Sequence, residues 1–284
     1  MPMKEAKSIL ITGCSSGIGL CVAQGLKARG YRVFASARKD HDVTQLQQQG
    51  FNALKLDLRD GESIAMAAEQ VLQQTDGHLY ALFNNGAYGQ PGAVEDLSVD
   101  TLRQQFETNL FGWHDLTCRV LPGMRQQGKG RIIQNSSILG FMALPYRGAY
   151  VASKFALEGL SDTLRLELAG SGVFVSLIEP GPIESRFRDN ALAMWRANIN
   201  AEESIHREYY QAMLNRLQKK GPATPFTLPP EAVLKKVIHA LEAPHPKARY
   251  HITFPTHLFA LLRRLLTSHA MDRVLLKVSG DGKR

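Results

Sequence analysis

Tyr150 and Lys154 stand four residues apart in Tyr150-Val151-Ala152-Ser153-Lys154, and on a helix that spacing sets both side chains on one face, one turn apart. A phenol titrates near ~10, so proton exchange near neutrality needs about three units of stabilisation of its anion, about 4 kcal/mol. A neighbouring ammonium can supply it, and Lys154 is the natural source. Thirteen residues before Tyr150, Ser137 follows the apolar run Arg131-Ile132-Ile133-Gln134-Asn135, where its hydroxyl could hold the oxygen of a reacting group. Asn109, in Thr108-Asn109-Leu110-Phe111-Gly112, is an amide on a helical face that the pattern predicts to be buried, and buried amides need partners. Singly, these residues read as a surface pair, a strand-end hydroxyl and a satisfied core amide. Jointly they point to proton transfer at one site.

A second cluster lies near the start. Thr12-Gly13-Cys14-Ser15-Ser16-Gly17-Ile18-Gly19 joins an apolar run, Ser8 to Thr12, to a helical pattern, Ile18 to Arg29. Gly13 allows a tight turn, Gly17 a close approach of pyrophosphate to backbone, and Gly19 close helix packing, while the helix dipole favours the anion. Ser15, Ser16 and Ile18 complete a candidate dinucleotide loop. An NAD site would place an acid after the second strand; here Ser36-Ala37-Arg38-Lys39 stands there, and Arg38 with Lys39 suits a 2′-phosphate. NADP(H) is the expected cofactor, with NAD(H) kept as the alternative by Asp40 and Asp42.

The elements that must position these groups follow a βα rhythm. Strands are predicted at Ser8 to Thr12, Arg32 to Ser36, Ala53 to Leu56, Leu79 to Phe83, Arg131 to Gln134, Val173 to Ile178 and Tyr250 to Phe254. Helical patterns separate them at Ile18 to Arg29, Val43 to Gln49, Glu62 to Thr75, within Asp100 to Gln127, at Tyr150 to Gly170 and at Glu231 to Glu242. Strands apolar on both faces and separated by helices indicate a parallel sheet covered on both sides. The expected class is α/β: one Rossmann-type, doubly wound parallel sheet of about seven strands, forming a single domain over 1–284. Residues 7–190 would be the cofactor and catalytic core, 186–230 a substrate lid and 255–284 a C-terminal extension.

Tyr-x-x-x-Lys, the serine thirteen residues earlier, Asn109-x-x-Gly112 and the glycine loop together resemble the short-chain dehydrogenase/reductase family over roughly residues 7 to 190. The stretches Tyr150 to Leu168 and Ser176 to Ile183 are similar to its 17β-hydroxysteroid and retinol dehydrogenase-like branch, which includes bacterial NADP-dependent aldehyde reductases. The resemblance implies a tetrad in which Tyr150 exchanges the proton, Ser137 polarises the carbonyl, Lys154 lowers the phenol pKa and grips the nicotinamide ribose, and Asn109 positions a water. It assigns Asp57, with Leu58 beside it, to the adenine end. It assigns Pro180, Gly181, Ile183 and Ser185 to the nicotinamide end, and Asn85 and Gly86 to the cofactor floor. Asn84-Asn85-Gly86-Ala87 departs from the family's Asn-Asn-Ala-Gly, which could shift a positive φ by one residue. Ser185 stands where threonine is common.

The implied activity is hydride transfer between NADP(H) and an apolar carbonyl or alcohol. NAD-linked alcohol oxidation and a non-catalytic dinucleotide sensor are the alternatives. Leu139, Phe141, Met142, Leu144 and Tyr146, with Met194 and Trp195, are candidate walls for an apolar substrate, or else core. The formal charge of +8 arises from 34 basic and 26 acidic residues, but no nucleic-acid motif accompanies it, so no nucleic-acid partner is expected. Half of the excess lies in 257–284. Leu258 to Leu266 could rest on anionic lipid, although the favoured reading makes it a subunit or substrate-site cover with solvated arginines. A homodimer or homotetramer is expected. Three cysteines without Cys-x-x-Cys spacing suggest neither disulfides nor a thiolate metal site, and no metal is expected. With no export signal or membrane-spanning run, the reading is cytoplasmic.

Overall fold

The computed structural model describes residues 6–219, 221 and 224–280. The expected domain's first five residues, lid positions 220, 222 and 223, and the terminal Lys283 and Arg284 lie outside the described residues.

Seven strands form one sheet: β1 (Ser8–Ile11), β2 (Arg32–Ala37), β3 (Asn52–Lys55), β4 (Ala81–Asn84), β5 (Gly130–Asn135), β6 (Val173–Glu179) and β7 (Arg249–His251). Their order is β3-β2-β1-β4-β5-β6-β7, and every pairing is parallel. The alternation of side chains along each strand divides the core between two faces. Ile9, Ile11, Val33 and Phe83 pack with Val22 and Leu26 of α1 (Gly17–Ala28) and Val233 and Val237 of α9 (Glu231–Glu242). Leu10, Phe34 and Leu82 face the other way, onto Ile64 and Val71 of α3 (Gly61–Gln73), Trp113 and Leu116 of α5 (Gly112–Gln126) and Leu157 of α6 (Gly148–Glu167). The chain runs outward from β1 to β3 and then returns to β4 beside β1, so a crevice opens at the carboxyl ends of β1 and β4, where such sheets bind ligands.

Several boundaries differ from the sequence-based expectation. The polar helix α2 begins early, at Asp40–Gln48. The long helix is α4 (Val99–Phe106), a π-helical turn (Glu107–Phe111) and α5 in series. The last strand is only Arg249–His251, because Pro255 near the start of α10 (Phe254–Leu265) suits a first helical turn. The lid holds two regular helices, α7 (Phe187–Asn198) and α8 (Arg207–Gln218), whose Ala191, Trp195, Tyr210, Met213 and Leu217 form a core of their own with Ile199. The extension adds a helix the pattern did not signal, α11 (Ser268–Ser279).

Candidate active site

The site is assembled from the carboxyl ends of three adjacent strands. Beyond β1, the Thr12 hydroxyl accepts the backbone N–H groups of Asn85 and Gly86, both at 2.8 Å. The Asn85 amide donates in turn to the Thr12 carbonyl at 2.9 Å, and the Asn135 amide beyond β5 donates to Asn85 Oδ1 at 2.9 Å. Polar groups thus pair across the crevice floor, with Asn135 Oδ1 the one member that has no partner among the described residues. Gly13 has φ +71°, and a Cβ there would lie 2.6 Å from the Gly86 Cα. Gly86 itself has no positive φ, nor has Ala87. The departure from the family's Asn-Asn-Ala-Gly therefore moves no left-handed residue; what Gly86 supplies is room beside Gly13 and Leu58.

The glycine loop leads into α1 with no side-chain cap at Ser16 and no acid in the first turn. The first amides of that helix consequently have no anionic side chain competing for them. With φ +57° at Gly17, the loop has the turn geometry and helix N-terminus that a pyrophosphate requires. At the end of β2, Arg38 and Lys39 are exposed. Of the two acids that could oppose a 2′-phosphate, Asp40 is paired with Lys55 at 2.9 Å, and Asp42 lies 3.2 Å from the His41 ring. These residues fit NADP(H).

Tyr150, Lys154, Ser137 and Asn109 converge. Tyr150 lies in the first turn of α6, and the Lys154 Nζ is 5.7 Å from its ring centroid and 4.2 Å from that of Trp113. The ammonium is buried and donates to the Asn135 carbonyl at 2.7 Å. Ser137 follows β5; its hydroxyl accepts the Leu139 N–H at 3.1 Å and stands against the Tyr150 phenol as a hydrogen-bonding partner. Asn109 sits buried in the π-helical turn, donating to the Tyr88 carbonyl at 2.9 Å and to Ser153 Oγ at 3.2 Å and accepting the Tyr88 N–H at 3.2 Å. Both Nδ2 hydrogens are thus engaged in holding the Tyr88 loop and Ser153, while Oδ1 keeps one lone pair for a further donor.

The electrostatics differ from the simple expectation of an acidified phenol. Burial pushes Tyr150 up to about 12, with the Ser137 hydrogen bond opposing the rise. Burial likewise pushes Lys154 down to about 7, against the raising influence of Glu158. The chain by itself therefore keeps the phenol protonated, the form that donates a proton.

Asp57 is pushed up by burial, but hydrogen bonds and charge from Arg59, with Arg38 adding, bring it below the usual carboxylate range. Its two oxygens are held by Arg59 at 3.3 and 3.0 Å. Arg59 was not signalled by any motif. The sequence pattern marks Trp113 only as a helical residue, yet its indole donates to the Gly86 carbonyl at 2.8 Å under the Lys154 ammonium. Phe187 was also missed: its ring stands edge-on to Tyr150 with centroids 5.3 Å apart.

The segment after β6, which the sequence resemblance assigns to the nicotinamide end, packs against the glycine loop. Pro180 accepts the Ile138 N–H at 2.8 Å, a Cβ on Gly181 would lie 2.1 Å from Thr253 Oγ1, and a Cβ on Gly17 would face Ser185 at 3.1 Å. Ile183 pairs with Leu228 of the lid. Of the proposed apolar walls, Leu139 and Met142 pack into a core with Phe259 and Leu275, with Phe141 and Leu144 partly buried against it. Trp195 turns into the lid core, 5.7 Å from Tyr210, and Tyr146 joins that core.

The short chain dehydrogenase family model matches residues 7–195. The uncharacterized oxidoreductase YbbO of Escherichia coli K12 is 45% identical over 95% of this chain and 94% of its own length. Human 17-beta-hydroxysteroid dehydrogenase type 1 is 34% identical over 90% of this chain and 80% of its own. The NADPH-dependent 3-dehydrocapnine reductase of Ornithobacterium rhinotracheale is 32% identical over 94% and 95%, respectively. Among solved structures, a short-chain dehydrogenase from Streptomyces avermitilis superposes with a TM-score of 0.75 at 27% identity, covering 98% of this chain and 97% of that one.

Proposed function

The chain belongs to the short-chain dehydrogenase/reductase family, in the branch that holds 17β-hydroxysteroid and retinol dehydrogenases, and is an oxidoreductase of alcohol and carbonyl groups; from that premise we propose that it reduces an apolar aldehyde or ketone with NADPH, Tyr150 donating the proton. The observation that carries the reading is the meeting of Tyr150, Ser137 and Lys154 at the strand end that faces the glycine loop. The relatives named for reductive steps, the 3-dehydrocapnine reductase and a 3-ketodihydrosphingosine reductase of Bacteroides thetaiotaomicron, support it.

In this reading the glycine loop and the amides of α1 hold the pyrophosphate, Arg38 and Lys39 the 2′-phosphate, and Lys154 the nicotinamide ribose. Bound NADPH supplies the hydride. Ser137 donates a hydrogen bond to the carbonyl oxygen and orients it, and the protonated phenol of Tyr150 delivers its proton to that oxygen as negative charge develops there. Phe187 and the loop at Gly89 shield the phenol from water, which strengthens each of these interactions. Exposed apolar residues on α4 to α6, among them Leu102, Phe111, Phe155 and Leu160, fit a homo-oligomeric contact.

A panel of apolar and hydrophilic carbonyls tests the proposal through loss of reduced-nicotinamide absorbance, with NADPH and NADH compared. Turnover of apolar carbonyls with NADPH is expected. Preference for NADH, or binding of nucleotide without turnover of any carbonyl or alcohol, would move the assignment to an NAD-linked alcohol dehydrogenase or a sensor.

A further inference from the structure

The last two helices pack beside the catalytic helix: Phe259 of α10 and Leu275 of α11 share a core with Leu139 and Met142, and Tyr150 is partly buried against that core. In α10, Thr256 and Phe259 are buried, Phe259 packing with Leu139 and Met142. The opposite face carries Phe254, Leu258, Leu261 and Leu265, exposed by 59%, 38%, 55% and 70%. Those positions repeat every three or four residues, so they form one stripe along the helix. Phe226, on the turn before α9 and 57% exposed, extends the stripe at its start, its ring centroid 5.2 Å from that of Phe254. Leu276 and Val278 of α11 are exposed beside it in sequence. An outward apolar stripe of this extent marks a surface that meets something.

The charges around it say what. From 255 to 280 the described chain carries Arg263, Arg264, Arg273 and Lys277 against one acid, Asp272. Arg263 is tied down, donating to the Phe141 carbonyl at 2.5 Å and lying 5.3 Å from the Phe155 ring, whereas Arg264, Arg273 and Lys277 are exposed. Among the described residues no helix is long and apolar enough to cross a membrane. A helix with leucine and phenylalanine on one face, an exposed arginine on its flank, too little length to span, and a following helix that exposes Arg273 and Lys277 has the makeup of one that lies in a lipid interface.

We propose that the α10–α11 surface docks this protein, peripherally and reversibly, on an anionic lipid surface, with Phe226, Phe254, Leu258, Leu261 and Leu265 entering the acyl boundary and Arg264, Arg273 and Lys277 facing the headgroups. This does not depend on which carbonyl is reduced. It sets the lid side of the molecule on the surface: the turn bearing Phe226 leads within two residues to Leu228, which pairs with Ile183 beside the nicotinamide end. An apolar substrate partitioned into lipid would then meet the enzyme at that end.

The test is sedimentation of the full-length protein with vesicles of phosphatidylcholine alone and of phosphatidylcholine with phosphatidylglycerol. Binding is expected to the phosphatidylglycerol vesicles, to weaken as salt rises, and to fall about tenfold in both Leu261→Glu/Leu265→Glu and Arg264→Glu/Arg273→Glu. Turnover of a water-soluble carbonyl, unchanged in both variants, verifies their folding. Absence of wild-type binding at low salt, equal binding to both vesicle types, or variants that bind like the wild type overturns the proposal. So does a fall in molecular mass by light scattering in the leucine variant without any wild-type lipid binding, which would assign the stripe to a second copy of the chain.

Discussion

The Nζ of Lys154 donates a hydrogen bond to the backbone carbonyl of Asn135 at 2.7 Å, and this contact links α6 to the residues around the glycine loop. Asn135 donates to Asn85 and Asn85 to Thr12, so lysine, crevice floor and glycine loop share a single network across β5, β4 and β1. Polar groups in such a network are costly to strand.

Asn85→Ala removes the middle member. It leaves the Thr12 and Gly13 carbonyls and the Asn135 amide without their partner, a cost of about 1–3 kcal/mol. A lower melting temperature is expected together with a raised KM for NADPH; an unchanged melting temperature would show that the network adds nothing to the fold.

The pH dependence of reduction follows from two buried groups. Below about 7 Lys154 is an ammonium and the phenol, near 12, is protonated. As pH rises through about 7 the ammonium is lost while the phenol keeps its proton. The kcat/KM for carbonyl reduction, which reports the free enzyme, should therefore fall through that region. Glu158 raises the lysine, so Glu158→Gln should move the inflection to lower pH. The stability sign is the same calculation. Lys154 binds its proton less readily folded than unfolded, so its burial disfavours folding most at low pH, and that penalty is relieved as pH rises from about 7 towards its ordinary 10.5.

Arg38→Asp replaces the cation expected at the 2′-phosphate with the acid that an NAD site carries. The KM for NADPH should rise about tenfold or more while that for NADH falls. Equal effects on both nucleotides would place Arg38 elsewhere on the cofactor or outside the site.

Phe187→Ala removes the ring that covers Tyr150. Loss of about 1.5–3 kcal/mol of apolar contact predicts a KM about ten- to a hundredfold higher for an apolar carbonyl and little change for a small hydrophilic one. A uniform loss across both substrates would instead make Phe187 a support for the catalytic geometry.

Much of this was legible in the sequence because the local signals were strong. β1 and β4 are apolar but for Ser8 and Asn84 at their ends, the glycine loop sits at a strand-to-helix junction, and the Tyr150–Lys154 spacing opens a helix. What escaped depends on tertiary placement. The lid helices bury Trp195 and Tyr210 against each other, which the polar stretch around them conceals. Phe187 matters because α7 folds back over α6, and Arg59 because a turn brings it to Asp57. The phenol's high pKa and the lysine's low one arise from burial, which no spacing reveals.

The most direct measurement is the rate of NADPH oxidation by Tyr150→Phe with an apolar aldehyde, alongside NADPH affinity by fluorescence titration. The account predicts a fall in kcat of about 10²–10⁴-fold with nucleotide affinity close to that of the wild type. Retention of wild-type turnover by this variant would contradict it.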